Sequence, residues 1–161
     1  VTLRIVVFGY GNPSRGDDAL GPLLLERLEA WLPTQPDLGV DTVADFQLQI
    51  EHALDLQGAD LALFLDADMS CAAPFAFRRI EPTQDASYSS HALSPGALLQ
   101  VCREVNGGPP PPSFTLSLRG ERFELGEPLS EAAASHLDEA WHFLQDLLQA
   151  GGAQAWEARV G

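Results

Sequence analysis

The chain has 161 residues, 45% of them hydrophobic, with 23 acidic against 9 basic side chains and a formal net charge of −14. That length and apolar content suit one globular domain with a real core. The charge repels nucleic acid and anionic lipid surfaces, and favours a cation or a basic peptide segment as partner. In chain order, residues 3–8 are rich in β-branched side chains and end at a Gly-x-Gly turn, which predicts a buried first strand. A helix follows over residues 18–31, with Leu20, Leu24, Leu28 and Trp31 on one face, Leu23 beside them, and Pro22 tolerated in the first turn.

Residues 40–46 read as a second strand and residues 50–56 as a short helix, on which His52 is expected at the surface. Residues 61–67 (LALFLDA) form the clearest strand, a continuous apolar run typical of a parallel strand covered on both faces. Residues 75–80 make a further strand. Ser94-Pro95 is an N-cap followed by proline at the first helical position, and it opens a helix that ends at Asn106-Gly107-Gly108. After the stiff proline run 109–112 come a last strand, residues 113–118, and a long helix, residues 131–148, capped by Ser130. This alternation predicts one α/β domain over residues 1–150, a three-layer α/β/α fold with a twisted, mostly parallel sheet of about five strands. Residues 151–161 carry no pattern and are read as a C-terminal tail.

Cys71 and Cys102 are too few for a disulfide framework and read as ordinary buried thiols of a reducing compartment. No apolar run nears the ~20 residues of a bilayer span, and no signal-peptide cleavage site follows the short stretch of residues 5–8. The expectation is a soluble, cytoplasmic protein without a membrane segment.

In an open α/β sheet, chemistry gathers beyond the carboxyl ends of the strands, where strand order reverses. Strand 1 runs into a loop ending in Asp17-Asp18, and strand 3 ends in Asp66-Ala67-Asp68. With the order 2-1-3 these ends are neighbours, and His91 lies in a loop that can return to the same edge. Two carboxylates and an imidazole make a three-point site for Zn²⁺, Ni²⁺ or Fe²⁺ with open coordination positions. Each residue also has a plainer reading: Asp17 or Asp18 as a helix-entry acid, Asp66 as a turn former, His91 as an incidental loop histidine. Gly9-x-Gly11 begins like a dinucleotide fingerprint, but Ser14 and the two aspartates at the helix entrance would repel a pyrophosphate. No G-x-S-x-G elbow, H-E-x-x-H pair or P-loop is present, and His136 and His142 do not share a helix face.

The segment Phe8-Gly9-Tyr10-Gly11-Asn12-Pro13-Ser14-Arg15-Gly16-Asp17-Asp18-Ala19-Leu20-Gly21 resembles the N-terminal signature of the hydrogenase maturation proteases, G-x-G-N followed by D-[DE]-x-[AVIL]-G. The resemblance continues through Leu65-Asp66-Ala67, Ser90-His91-Ala92-Leu93-Ser94-Pro95 and Phe123-Glu124-Leu125-Gly126-Glu127-Pro128-Leu129-Ser130, in order along nearly the whole chain. It implies an endopeptidase, aspartic-type by family classification, that removes a C-terminal extension from the nickel–iron hydrogenase large-subunit precursor after nickel insertion. Position by position it places the catalytic and metal-binding roles on Asp18, Asp66 and His91. The metal would be Ni²⁺ carried by the substrate, with Zn²⁺ or Cd²⁺ as stand-ins in vitro. Two departures stand out. The first ligand, often Glu, is Asp18 here, and the usual Gly-Thr-rich loop after the second strand is replaced by Asp45-Phe46-Gln47-Leu48-Gln49-Ile50. That stretch resembles the branch serving bidirectional or NAD-reducing hydrogenases, and the role of Asp45 stays open between chemistry and a turn or helix entry. The rival readings are a non-enzymatic nickel-binding assembly chaperone using the same ligands, and a small-molecule hydrolase, for which no nucleophile or phosphate loop was found.

Overall fold

Every residue from Leu61 to Leu65 is buried, as a strand covered on both faces requires. A computed structural model describes residues 2–84 and 93–161. Its sheet has five strands in the order β2-β1-β3-β5-β4: β1 (Arg4–Tyr10), β2 (Gly39–Asp45), β3 (Leu61–Asp68), β4 (Phe75–Ile80) and β5 (Ser113–Arg119). The pairs β1/β2, β1/β3 and β3/β5 are parallel, and β4 joins the edge antiparallel to β5. The expected 2-1-3 order and the mostly parallel α/β/α sheet are both present.

Successive side chains of a strand point to opposite faces, and that alternation divides the core. Ile5, Val7, Leu61, Leu63, Leu65, Phe114, Leu116 and Leu118 pack with α1 (Leu20–Trp31) and α3 (Glu131–Gln149). Val6, Phe8, Ala62 and Phe64 pack on the other face, against Ala53 and Leu56 of a 3₁₀ helix (Ile50–Leu56) and Leu98, Leu99 and Cys102 of α2 (Pro95–Asn106). Helix α1 buries Leu20, Leu24, Leu25 and Leu28 and is preceded by a separate 3₁₀ helix, Gly16–Ala19, so the helix expected from residue 18 is two elements. Ser94 and Ser130 cap α2 and α3, accepting from the backbone N–H groups of Ala97 and Ala133. Both cysteines are buried and free.

Residues 151–161, read as a tail, instead carry a short helix α4 (Ala153–Glu157) that turns Trp156 into the core with 0% exposure. The Trp156 indole stands edge-on to Phe77 and Phe114, and its N–H donates to the Leu147 carbonyl at 3.0 Å. A five-residue helix is too short to show a hydrophobic period, which is why the sequence did not announce it. Among the described residues no helix is long and apolar enough to cross a membrane.

Candidate active site

From β1 the chain turns one way to β2 and the other way to β3, so the switch point of this sheet lies between the carboxyl ends of β1 and β3. Two glycines let the chain close over it. A Cβ at Gly11, whose φ is +145°, would sit 2.1 Å from the Asp18 carbonyl oxygen. A Cβ at Gly21 would sit 2.6 Å from the Tyr10 carbonyl and 2.7 Å from that of Leu65, so the entry of α1 rests directly on the ends of β1 and β3. Asp18, three residues earlier, is thereby held beside Tyr10 and Asp66. Its Oδ2 accepts from the Asn12 N–H at 2.7 Å, which fixes the carboxylate across the loop instead of at the start of α1. No acid occupies the first turn of α1.

Asp66 follows the buried run of β3 and shares the face of Ala62 and Phe64, the α2 face of the sheet. Tyr10, on β1, shares the same face, and its hydroxyl donates to Asp66 Oδ2 at 3.2 Å. Ser117 stands opposite Asp66 in the β5 register. The second oxygen, Oδ1, is buried and has no hydrogen-bond partner among the described residues. Burial pushes the Asp66 carboxyl up to about 6; the Ser117 and Tyr10 hydroxyls act against the shift, and the charges of Asp68 and Asp18 add to it. The Tyr10 phenol is held well above its ordinary range, first by burial and then by the negative charges of Asp66 and Asp18.

The neighbouring acids do other things. Asp17, 0% exposed, accepts from the Glu121 N–H at 2.6 Å, the Arg122 N–H at 3.0 Å, the Ser130 N–H at 2.8 Å and the Ser130 hydroxyl at 2.7 Å. Burial alone would raise its pKa, but these four donors outweigh it and hold the carboxyl below the usual range. Asp68 closes its own turn, accepting from the N–H and hydroxyl of Ser70, both at 2.8 Å. Asp45, whose register partner on β1 is Tyr10, accepts from the Phe46 N–H at 2.7 Å and lies 3.3 Å from His52 Nε2. His52 is not at the surface as expected. It is 8% exposed, because its Nδ1 accepts from the Gln49 N–H at 2.9 Å in a capping box and its ring packs against Phe8. A 3₁₀ helix has no 3.6-residue face, so periodicity misplaced it. Asp45 thus forms a turn and receives the following helix through His52.

The structure places Asp18 close enough to Asp66 and Tyr10 for its charge to act on both. His91 lies outside the described residues, in the connection between β4 and α2, and α2 packs on the Asp66 face of the sheet. Among the described residues no three His, Cys, Asp or Glu side chains group to hold a metal ion. The two carboxylates, with an Asp66 oxygen that has no partner among the described residues, still have the hard-donor chemistry that a divalent cation takes. Cys71, near the same edge, is held as a thiol by burial and by the charges of Asp68 and Asp66, which disfavours it as a nucleophile. Sequence reasoning missed Tyr10 and Ser117. The signal was available in the strand alternation, which puts both on the face of Asp66.

No protein-family model matches the chain, and none of the curated proteins does. Solved structures do. A nickel–iron hydrogenase maturation protease, HycI, from Thermococcus kodakarensis KOD1 superposes with a TM-score of 0.68 at 24% identity, over 91% of this chain and 92% of its own. The hydrogenase maturating endopeptidase HybD from E. coli gives a TM-score of 0.69 at 23% identity, over 91% and 93%. A hydrogenase 2 maturation peptidase from a Thaumarchaeota archaeon gives 0.63 at 21%, over 90% and 97%. The chain has the fold of these proteins over nearly its whole length.

Proposed function

We propose that this chain is a cytoplasmic endopeptidase of hydrogenase maturation, cutting the C-terminal extension from a nickel–iron hydrogenase large-subunit precursor once nickel is in place. What carries the reading is the convergence of Asp18 and Asp66 at the β1/β3 switch point, on the fold of solved maturation proteases. The G-x-G-N and D-D-x-L-G signature supplies the loop, and His91, in its own Ser-His-Ala motif, is the third ligand.

Asp18, Asp66 and His91 grip the nickel that the substrate brings, and so set the scissile peptide in the crevice. Metal-free precursor lacks that contact and binds more weakly, which makes the site a checkpoint by differential affinity. Water cleaves the peptide, activated by a carboxylate or polarised by the metal. The acidic surface suits a basic peptide segment as substrate. The stretch of residues 45–50 in place of the Gly-Thr-rich loop supports a role in the branch serving bidirectional or NAD-reducing hydrogenases.

The test is incubation of the full chain with nickel-loaded and nickel-free precursor, read by intact mass. Loss of a C-terminal peptide from the nickel-loaded form alone is expected, and Asp66→Ala or His91→Ala should slow it at least ~10³-fold. Stable binding without mass loss would make the protein a nickel-dependent assembly chaperone instead. Full cleavage by both variants would remove the assigned residues.

A further inference from the structure

An aspartate carboxylate turns easily about its last bond, so one that must meet a metal with a chosen oxygen needs something to stop it turning. Here the neighbouring strand provides a stop. Tyr10 is the only side chain between Gly9 and Gly11, at the last position of β1, and its hydroxyl donates to Asp66 Oδ2 at 3.2 Å. Its own ring lies on the sheet face of Val6 and Phe8 and packs with that half of the core. The donor is therefore fixed by the strand and not by a mobile loop. Asp66 Oδ1 is left buried and without a hydrogen-bond partner among the described residues.

We propose that Tyr10 is a positioning residue: by engaging Oδ2 it fixes the rotation of Asp66 and presents Oδ1 alone to the metal carried by the substrate. The proposal rests on the endopeptidase reading above. Without the phenol, the Ser117 hydroxyl opposite on β5 is the one side-chain restraint left on Asp66 among the described residues. The carboxylate then turns more freely, offers either oxygen or both, and holds the ion less well placed for attack on the peptide. Orienting partners of this kind typically set metal affinity or turnover by about 10- to 100-fold.

The experiment compares full-length wild type and Tyr10→Phe in three measurements: cleavage of nickel-loaded precursor, Co²⁺ binding by calorimetry with its visible spectrum, and thermal melting. The variant should lose ~10-fold in kcat with KM within ~2-fold. Co²⁺ affinity should fall ~10-fold, with weaker visible bands as the carboxylate takes a second coordination position. Its melting temperature should stay within about 3 °C of wild type. Unchanged kcat overturns the inference while the endopeptidase reading stands. A wild type that binds Co²⁺ but leaves the precursor whole overturns that reading, and an unchanged Co²⁺ affinity and spectrum in the variant then overturns the role of Tyr10 as well. A wild type that neither cleaves nor binds Co²⁺ overturns both. A large loss of melting temperature, with activity falling only as the folded fraction falls, overturns the inference and makes Tyr10 a packing residue.

Discussion

Two aspartates at the same edge of the sheet, Asp17 and Asp66, meet opposite treatment from the fold. Asp17 is completely buried and receives four donors from residues 121–130, so its charge is worth more inside the protein than in water. Asp66 receives the Tyr10 hydroxyl on one oxygen, keeps a buried oxygen with no partner among the described residues, and has its pKa raised to about 6. A carboxylate surrounded by donors pins structure, whereas one left short of donors at a strand end is held ready for something else. Asp17 ties the loop that carries Asp18 to the loop before α3. That tie is reinforced by backbone bonds from Gly16 to Glu127 at 3.1 Å and from Asp17 to Arg122 at 2.6 Å. The clamped carboxylate of Asp17 thus holds in place the loop that carries Asp18.

The largest effect on folding should therefore come from Asp17. Asp17→Ala leaves the buried N–H and hydroxyl of Ser130 and the part-buried N–H groups of Glu121 and Arg122 without their acceptor, at ~1 kcal/mol each, so the loss should total about 3–5 kcal/mol. Urea denaturation at pH 7 would show it as a lower midpoint with unchanged slope. The pH dependence carries a sign. The folded pKa of Asp17 lies below its ordinary value of 3.8, so its contribution is complete above that value and is lost as pH falls through the folded pKa. The variant should accordingly lose less stability on acidification than the wild type does. A loss under about 1 kcal/mol would erase the contrast with Asp66.

Much of this molecule is legible from the chain alone, and the part that is not has a common cause. Residues 61–65 announce a doubly covered strand by their unbroken apolar run, and Ser94-Pro95 and Ser130 announce helix starts, because these signals are local. The pair Asp17-Asp18 announces a site but not which acid does what. The donors that claim Asp17 come from positions 104 to 113 residues later, and no spacing rule reaches that far. The tail reading of residues 151–161 and the surface reading of His52 fail for a related reason: short helices show no period, and the burial of Trp156 and His52 is decided by packing against Phe77, Phe114 and Phe8. The nearness of the strand ends that carry Asp18 and Asp66 is readable from the 2-1-3 order. Tyr10 went unread because between two glycines it looks like part of a turn, and its partner is 56 residues away.

The opposite half of the comparison is sharpened by removing the charge from Asp66. With its pKa moved from 3.8 to about 6 in the fold, the native state holds the proton more tightly than the unfolded chain does. The carboxylate therefore costs nothing below about pH 4, and its full penalty is present above about pH 6. Asp66→Asn should remove the processing proposed above yet stabilise the metal-free protein at pH 7–8, by on the order of 1–3 kcal/mol, with no gain at pH 4. Thermal melting across that pH range separates this from an ordinary polar substitution, which would show no such slope.

The smallest expected effect is the most discriminating about whether the Asp17 clamp sets the position of Asp18. Ser130 donates its hydroxyl to Asp17 Oδ2 at 2.7 Å while accepting from the Ala133 N–H at 3.2 Å, so it caps α3 and completes the clamp at once. Ser130→Ala removes one of the four donors and the cap, and should cost about 1–2 kcal/mol. Three donors from Glu121, Arg122 and the Ser130 backbone remain on Asp17, so the loop bearing Asp18 should keep its place. Processing of nickel-loaded precursor, compared at a temperature where both proteins are fully folded, should then match wild type within ~2-fold. A larger drop in kcat at full folding would mean that the clamp sets the geometry of Asp18 directly, and that the division between a structural and a functional carboxylate is too sharp.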